Sequence, residues 1–501
     1  MERTKMTISE AKEKLMELQR RMSAYEHALT SIHFDGVTIA PTGTAANRAS
    51  SMSILAEDAY KIATADEAME ILVYLDENKE ELDLATNRMV HLLMKDVRDL
   101  RNIPMGEYVE FKKLLIEAED SWHAAKEASD YEMFSPYLEK VFGTVKKFAG
   151  YTDPDKDPYD SCLNKYEEGL TKESCDEFFN KLREELVPMM SEIVETQDAD
   201  DSFRKGNFPA YKQEEFAFYL MDLIGLDRNH VGLSTTEHPF TTTMGSHHDV
   251  RITTNYHEDD FLQSLYSVIH EGGHALYDTG PDDELAYTVL DGGLYMSIHE
   301  SQSRFYENIL ARSHAFSEHV LPKIKEIFPQ LEGLGVDEFY RGINKVSPSL
   351  IRIEADEVTY SLHVLIRYEL EKRVMAGEVS VKDLPAEWNR LYKEYLGVDV
   401  PDDKHGVLQD SHWAGGMIGY FPSYALGSAY GAQFLAKMKE TIDVDDCVRR
   451  GDYAPINAWN RERIWRHGGL YLPKEIIERA TGESFSTDYY IAYLRNKYLG
   501  R

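Results

Sequence analysis

His270, Glu271 and His274 stand together in the segment HEGGH, residues 270–274. On a helix advancing about 100° per residue, histidines four apart lie about 40° from each other. Both can then turn a ring nitrogen to one ion about 2 Å away. Glu271 falls beside that face, where it is better placed to take a proton from a water acidified by the ion than to be a tight ligand. The two glycines between the histidines each cost about 1 kcal/mol of helix propensity. Gly273 falls in the apolar stripe near Ile269 and Leu276, and Gly272 flanks it. That placement predicts close approach of a neighbouring helix, the one carrying the third ligand; the bland alternative is a helix so buried that propensity hardly matters.

A catalytic zinc-type site needs a third protein ligand and an open position. Glu300, in LYMSIHESQSRFYENILAR, is the candidate. Leu294, Ile298, Phe305 and Ile309 mark the apolar side of that segment, with Glu300, Arg304 and Glu307 opposite. Arg304 is a candidate to fix the Glu300 carboxylate and Glu307 to support a ligand histidine. The same spacing also fits a solvated face of helical ion pairs. His299 points about 100° away from Glu300 and is not read as a ligand. His247 and His248 are adjacent; read as strand residues facing opposite ways, they are not assigned to an ion.

The elements that must position these residues read as mostly helical. Thr7 and Glu10 fit a capping box, followed by Leu15, Leu18, Met22, Tyr25 and Leu29 at helical spacing. Helical text continues to about residue 150. GYTDPDKDPYDSC (150–162) reads as a loop, and the Thr-rich stretch of about 230–256 as a small sheet built on a hairpin. The metal-binding helices fall at about 260–312. No internal repeat or linker divides the 501 residues, so the reading is one catalytic domain with residues 1–150 as one wall of its cleft. A net charge of −33, from 55 basic and 88 acidic residues, argues against nucleic acid as a partner. Cys162, Cys175 and Cys447 form no CxxC pair, and no apolar run reaches about 18 residues. The start has no apolar signal core, so the expectation is a cytoplasmic protein without membrane contact.

The ordered motifs together resemble the carboxypeptidase Taq family of metallocarboxypeptidases. They are HPF (238–240), DVRIT (249–253), HExxH, HESQS (299–303), IRIEAD (351–356), GVLQDSHW (406–413) and GYFPSYALG (419–427), with RRMSAYEHAL and YDSCLNKYEEGLT upstream. The resemblance spans essentially the whole chain. It implies a mostly α fold shaped around a deep groove with a small sheet at its edge, and usually a homodimer. It further implies one zinc or cobalt ion per chain and the release of single residues from peptide C-termini, with broad specificity but not of proline. Asp278, one turn after His274, stands where the family often carries glutamate, so its part in supporting the metal is less secure.

A carboxypeptidase must also stabilise an oxyanion and hold a free carboxylate. Tyr424 is the first choice for the oxyanion, by analogy with related helical metallopeptidases; Tyr420 is the second choice or a carboxylate contact, and His412 a further neutral donor. Gly419, Pro422 and Gly427 suggest a shaped loop around the tyrosines. Arg352 is the first candidate for the carboxylate, with Asp356 four residues on either orienting it or forming a simple helical salt bridge. Gln409, Arg251 and His238 are further substrate-side candidates: His238, before a proline, is extended, and the DVRITT strand is expected at the cleft edge, open to pairing with substrate. The alternatives are a helical metallo-oligopeptidase that cuts internally or releases dipeptides, and a peptide-binding protein that has lost catalysis.

Overall fold

The computed structural model describes residues 6–501; the first five residues of the leading stretch lie outside the described part. Six helices come first: α1 (Ile8–Thr38), α2 (Ala45–Ala63), α3 (Asp66–Glu77), α4 (Leu84–Asn102), α5 (Met105–Ala128) and α6 (Ser135–Thr152). Next are α7 (Pro158–Tyr166), α8 (Lys172–Thr196) and α9 (Ala210–Ile224), then strands β1 (Val231–Thr235), β2 (Thr241–Thr243) and β3 (Val250–Thr254). The metal-motif helix α10 (Phe261–Asp278) and the HESQS helix α11 (Met296–Arg304) follow. Beyond them lie α12 (His314–Ile327), α13 (Val336–Ile343), α14 (Glu357–Ala376), α15 (Leu384–Leu396) and α16 (Pro422–Met438). Four shorter helices end the chain: α17 (Val444–Arg450), α18 (Ala454–Arg463), α19 (Pro473–Thr481) and α20 (Thr487–Leu499). Among the described residues no helix is long and apolar enough to cross a membrane.

One large apolar core runs from α5 to α20, and a smaller one joins α1, α3 and α4 to Leu285 and Leu290 of the α10–α11 connection. The Thr7–Glu10 capping box starts α1 as read, with the Thr7 N–H donating to Glu10 at 2.8 Å. Its buried line is Ala11, Leu15, Gln19 and Ser23, one step round from the expected stripe. Gln19 and Ser23 take inward positions because each has a polar partner: Val289 N–H donates to Gln19 Oε1 at 2.9 Å, and Ser23 donates to Gly245 O at 2.5 Å. Of the 150–162 stretch only 153–157 is loop: Gly150–Thr152 end α6, and Asp157 caps α7 through the Tyr159 N–H, with Pro158 at the first helical position having no N–H to lose.

The expected hairpin is β2 with β3, and β1 adds a third strand to it. β3 is central, parallel to β1 and antiparallel to β2. Both edges of the DVRITT strand are therefore occupied, by β1 and β2, and neither is open to pairing with substrate.

Helix α10 is buried nearly all round, so the bland account of its glycines holds in part. The close-approach account also holds. A Cβ on Gly273 would stand 2.7 Å from Gln302 O and from Ser303 Cα, both backbone atoms of α11. On its other side α11 is met by α16, where a Cβ on Gly427 would be 2.7 Å from Glu300 Cβ. Helix α11 is thus clamped between two glycine faces. Gly272 accommodates Ile224, whose Cδ1 would be 2.5 Å from an added Cβ. Gly273→Leu is expected to push α11 away, lowering stability by about 1–3 kcal/mol and weakening metal retention. The thermal midpoint and bound metal after dialysis check this; unchanged values for both would remove the packing role.

Candidate active site

Helix α10 turns His270 and His274 toward Glu300 on α11. His270 Nε2 lies 3.9 Å and His274 Nε2 3.6 Å from Glu300 Oε2, and the three donor atoms all lie within 4.8 Å of one another. With donor–metal distances of about 2.0–2.2 Å, a tetrahedral edge is about 3.4 Å, so a small contraction seats a zinc-sized ion.

The atoms behind the ligands set their orientation. His270 Nδ1 meets Glu307 Oε2 at 2.7 Å. A carboxylate only accepts, so Nδ1 carries the proton and Nε2 keeps its lone pair for the ion. His274 Nδ1 hydrogen-bonds His299 Nδ1, and His299 Nε2 meets Asp278 Oδ1 at 2.9 Å. By the same reasoning His299 donates to Asp278 and accepts from His274, leaving His274 Nε2 free. Asp278 is therefore linked to His274 through His299, not by direct contact. The sequence excluded His299 as a ligand but missed its place behind His274, because one turn of α11 does not reveal what a second helix places opposite.

Arg304 Nε donates to Glu300 Oε1 at 2.7 Å, leaving Oε2 toward the histidines, and Arg304 Nη1 reaches Glu307 at 3.3 Å. Burial would raise the Glu307 carboxyl, but Arg304, His270 and Arg312 outweigh it and hold it at about 2. Glu307 sits in a π-helical turn, Phe305–Leu310, that continues α11; such wide turns recur at functional sites.

Glu271 is buried beside the cluster. Thr241 of β2 donates its hydroxyl to Glu271 Oε2 at 2.6 Å and lies 3.0 Å from Glu271 O. Burial raises the Glu271 carboxyl above its usual range, against the opposing pull of His270 and Thr241, which suits a general base. The threonine run signalled a strand without indicating which hydroxyl would reach the helix.

Tyr424 lies in the first turn of α16, so the motif expected to be a loop is helical there; Pro422 at the start of α16 is compatible with a helix N-terminus. Gly419 just before it does need its freedom: φ is +90°, and a Cβ would be 2.8 Å from Cys162 C. His412 Nε2 lies 3.1 Å from Tyr424 Oη, and the Tyr420 and Tyr424 rings are 5.2 Å apart. Burial, with Arg352 and Arg367 adding and Asp410 opposing, pushes the His412 imidazole down to about 4. Burial raises the Tyr420 phenol to about 12 and the Tyr424 phenol well above its ordinary value. At neutral pH all three are uncharged.

Arg352 departs from its expected setting. It lies in a short 3-10 turn, and Asp356 caps α14 instead of pairing with it. Its Nε and Nη2 donate to Asp410 at 3.0 and 2.9 Å and its Nη1 to Tyr360 Oη at 3.0 Å, while the guanidinium carbon sits 4.9 Å from the centre of the Tyr424 ring. The other Asp410 oxygen takes both Nε and Nη2 of Arg367 at 2.7 Å. Gln409 is spent inside the same network: its Oε1 accepts from Arg352 N and Arg367 Nη2, and its Nε2 donates to Leu350 O. Its side-chain oxygen and nitrogen are thus both engaged within the protein. Arg251 pairs with Asp249 within its own strand region, and His238 is exposed in the β1–β2 bend; no contact joins either to the metal cluster. Asp410, Arg367 and Tyr360 are members that sequence reasoning did not single out.

Two histidines and a carboxylate on packed helices, each ligand held from behind and a buried glutamate alongside, are the donor set of a helical metallopeptidase. Residues 14–498 match the carboxypeptidase Taq (M32) metallopeptidase family, and the chain belongs to that family. It is 41% identical to carboxypeptidase 1 of Bacillus subtilis, over 98% of this chain and 99% of that protein. It is 36% identical to thermostable carboxypeptidase 1 of Thermus thermophilus, over 98% and 99%. Its fold superposes on the crystal structure of the M32 carboxypeptidase from Deinococcus radiodurans R1 with a TM-score of 0.94, at 36% identity over 97% and 98% of the two chains.

His270→Ala is expected to remove the ion bound at this cluster, because one of three protein ligands and the Glu307 support are lost together. Elemental analysis should then find one ion fewer per chain than in the unaltered protein; an unchanged count would exclude His270 as a ligand.

Proposed function

We propose that this protein is a metal-dependent carboxypeptidase that removes single amino acids from peptide C-termini, with broad specificity but not of proline. His270, His274 and Glu300 would hold zinc or cobalt. When bound, the divalent ion supplies Lewis acidity, lowering the pKa of a water and polarising the scissile carbonyl. Glu271 takes the proton from the attacking water and delivers it to the leaving amine. Tyr424 donates its phenol proton to the oxyanion. With His412 in its Nε2–H form, the imidazole donates to the Tyr424 oxygen and leaves that phenol proton free for substrate. Tyr420 stands next to it as a second donor.

The observation that carries the exopeptidase reading is the charge of the cluster behind Tyr424. Two buried guanidinia, Arg352 and Arg367, share the single carboxylate of Asp410, a local excess of one positive charge that suits a terminal carboxylate. Arg352 uses three of its five N–H groups within the protein and retains two. The chain would work as one domain with α1–α6 as a wall of the groove. Supporting this, α5 reaches the QDSHW segment through Trp122 Nε1 to Leu408 O and Lys126 Nζ to Gln409 O, each 3.0 Å.

The test is a peptide blocked at its N-terminus and offered as free acid and as C-terminal amide. The free acid should lose single residues and the amide should be inert. Equal cleavage of both would establish internal cutting instead, and binding without turnover at saturating zinc or cobalt would mark a protein that has lost catalysis. Sedimentation of the metal-loaded protein checks the homodimer that belongs to this reading.

A further inference from the structure

The structure points to a second cation site, distinct from the catalytic cluster, and we propose that His247, His248 and Asp283 bind a zinc-class divalent ion there. In a strand two adjacent histidines would face opposite ways. They lie instead in the turn between β2 and β3, where the backbone direction changes and neighbouring side chains need not diverge. Their ring centroids are 4.1 Å apart, and the two histidines and Asp283 can bring one donor atom each within 4.8 Å of one another.

The arrangement repeats the logic of the catalytic ligands. His247 is buried, and its Nδ1 lies 2.5 Å from Asp291 Oδ1. Asp291 is itself fixed, accepting the Tyr287 N–H at 2.9 Å and the His247 N–H at 3.3 Å on its other oxygen. The carboxylate sets the His247 tautomer and turns Nε2 outward. That nitrogen lies 3.3 Å from Asp283 Oδ1, close to the tetrahedral edge of about 3.4 Å expected for zinc donors. Tyr287 holds a left-handed conformation, φ +62°, to present its N–H to Asp291, and Arg20 of α1 packs over its ring. Asp283 is 88% exposed, so an ion can enter from solvent. Two imidazoles and one carboxylate suit zinc or cobalt over calcium or magnesium, which take mainly oxygen.

The ion would staple the β2–β3 turn to the connection between α10 and α11. That turn is continuous with β2, whose Thr241 holds Glu271, and the connection joins the two helices that carry the catalytic ligands. The site is therefore a brace for the active centre and raises the metal content to two ions per chain, one more than the family resemblance implies.

Elemental analysis after dialysis against buffered Zn2+ tests this. The unaltered chain should hold two ions, and His270→Ala, His248→Gln and Asp283→Asn one each. His270→Ala combined with His248→Gln should hold none. Because Asp283 is exposed, Asp283→Asn is expected to fold, which keeps the count interpretable. Cobalt titrated into His270→Ala should give visible d–d absorption that disappears in His270→Ala/His248→Gln, and Zn2+ should raise the melting temperature of the first variant only. One ion in the unaltered chain, or a cobalt-silent, zinc-insensitive His270→Ala, would overturn the site and leave His247 as an ion-paired histidine between Asp283 and Asp291.

Discussion

Glu271→Gln is expected to lower kcat by about 10²–10⁴-fold, the usual contribution of a positioned general base, while metal content stays unchanged. Glutamine keeps the size of the side chain and an oxygen for the Thr241 hydroxyl, so the packing that orients residue 271 persists. His270, His274 and Glu300, with Glu307, His299 and Arg304 behind them, do not depend on the Glu271 charge for their geometry. On the proposed mechanism, what would disappear is the basic oxygen that takes the water's proton and returns it to the amine. Because that transfer occurs only in the transition state, the loss should fall in kcat with little change in KM. Steady-state kinetics on a blocked dipeptide, paired with elemental analysis, separates the outcomes. Near-normal kcat with full metal would remove Glu271 as the base.

Asp410→Asn should be the most damaging single change in stability, at about 3–5 kcal/mol, because it leaves two buried guanidinia without a counterion. The Asp410 side chain is only 11% exposed, Arg352 6% and Arg367 0%. Burial alone would raise the Asp410 carboxyl; Arg367 and Arg352 overcome that and hold it far below the usual carboxylate range. A folded pKa below the unfolded value stabilises the fold above the unfolded carboxylate pKa of about 3.9. That stabilisation is lost as pH falls from there toward the folded pKa. The gap between unaltered and variant protein should be full at neutral pH and narrow progressively as pH falls below about 4 toward the folded pKa. Urea midpoints across pH measure it, and a gap that did not narrow in acid would deny the charge a role. Activity should fall as well, since Arg352 packs against Tyr424.

The helical class of the fold and the convergence of His270, His274 and Glu300 were legible because their signals are local. HEGGH and HESQS each lie on one helix, where 3.6-residue periodicity fixes relative direction. The glycines were legible for the same reason: a residue without a side chain, in the apolar stripe of a working helix, announces a close neighbour. Arg352 was misread because its partner, Asp410, is 58 residues away in sequence, while Asp356, four residues away, was the only neighbour that helical spacing could suggest. His247 and His248 were dismissed on an assumed strand, and a shift from strand to turn reversed the geometric argument.

Taken alone, then, the amino-acid order determined which residues could bind an ion and which carboxylate stood beside them, since both follow from repeat angles within single helices. Tertiary structure decided what stands behind those residues: Thr241 on Glu271, His299 and Asp278 on His274, and Asp410 between two arginines. It also made β3 the centre of the sheet and brought two adjacent histidines onto one side of a turn. These pairings join segments that are distant in sequence. They are selected by burial and by the need of each buried polar group for a partner, a condition on the whole packed chain that no local window contains.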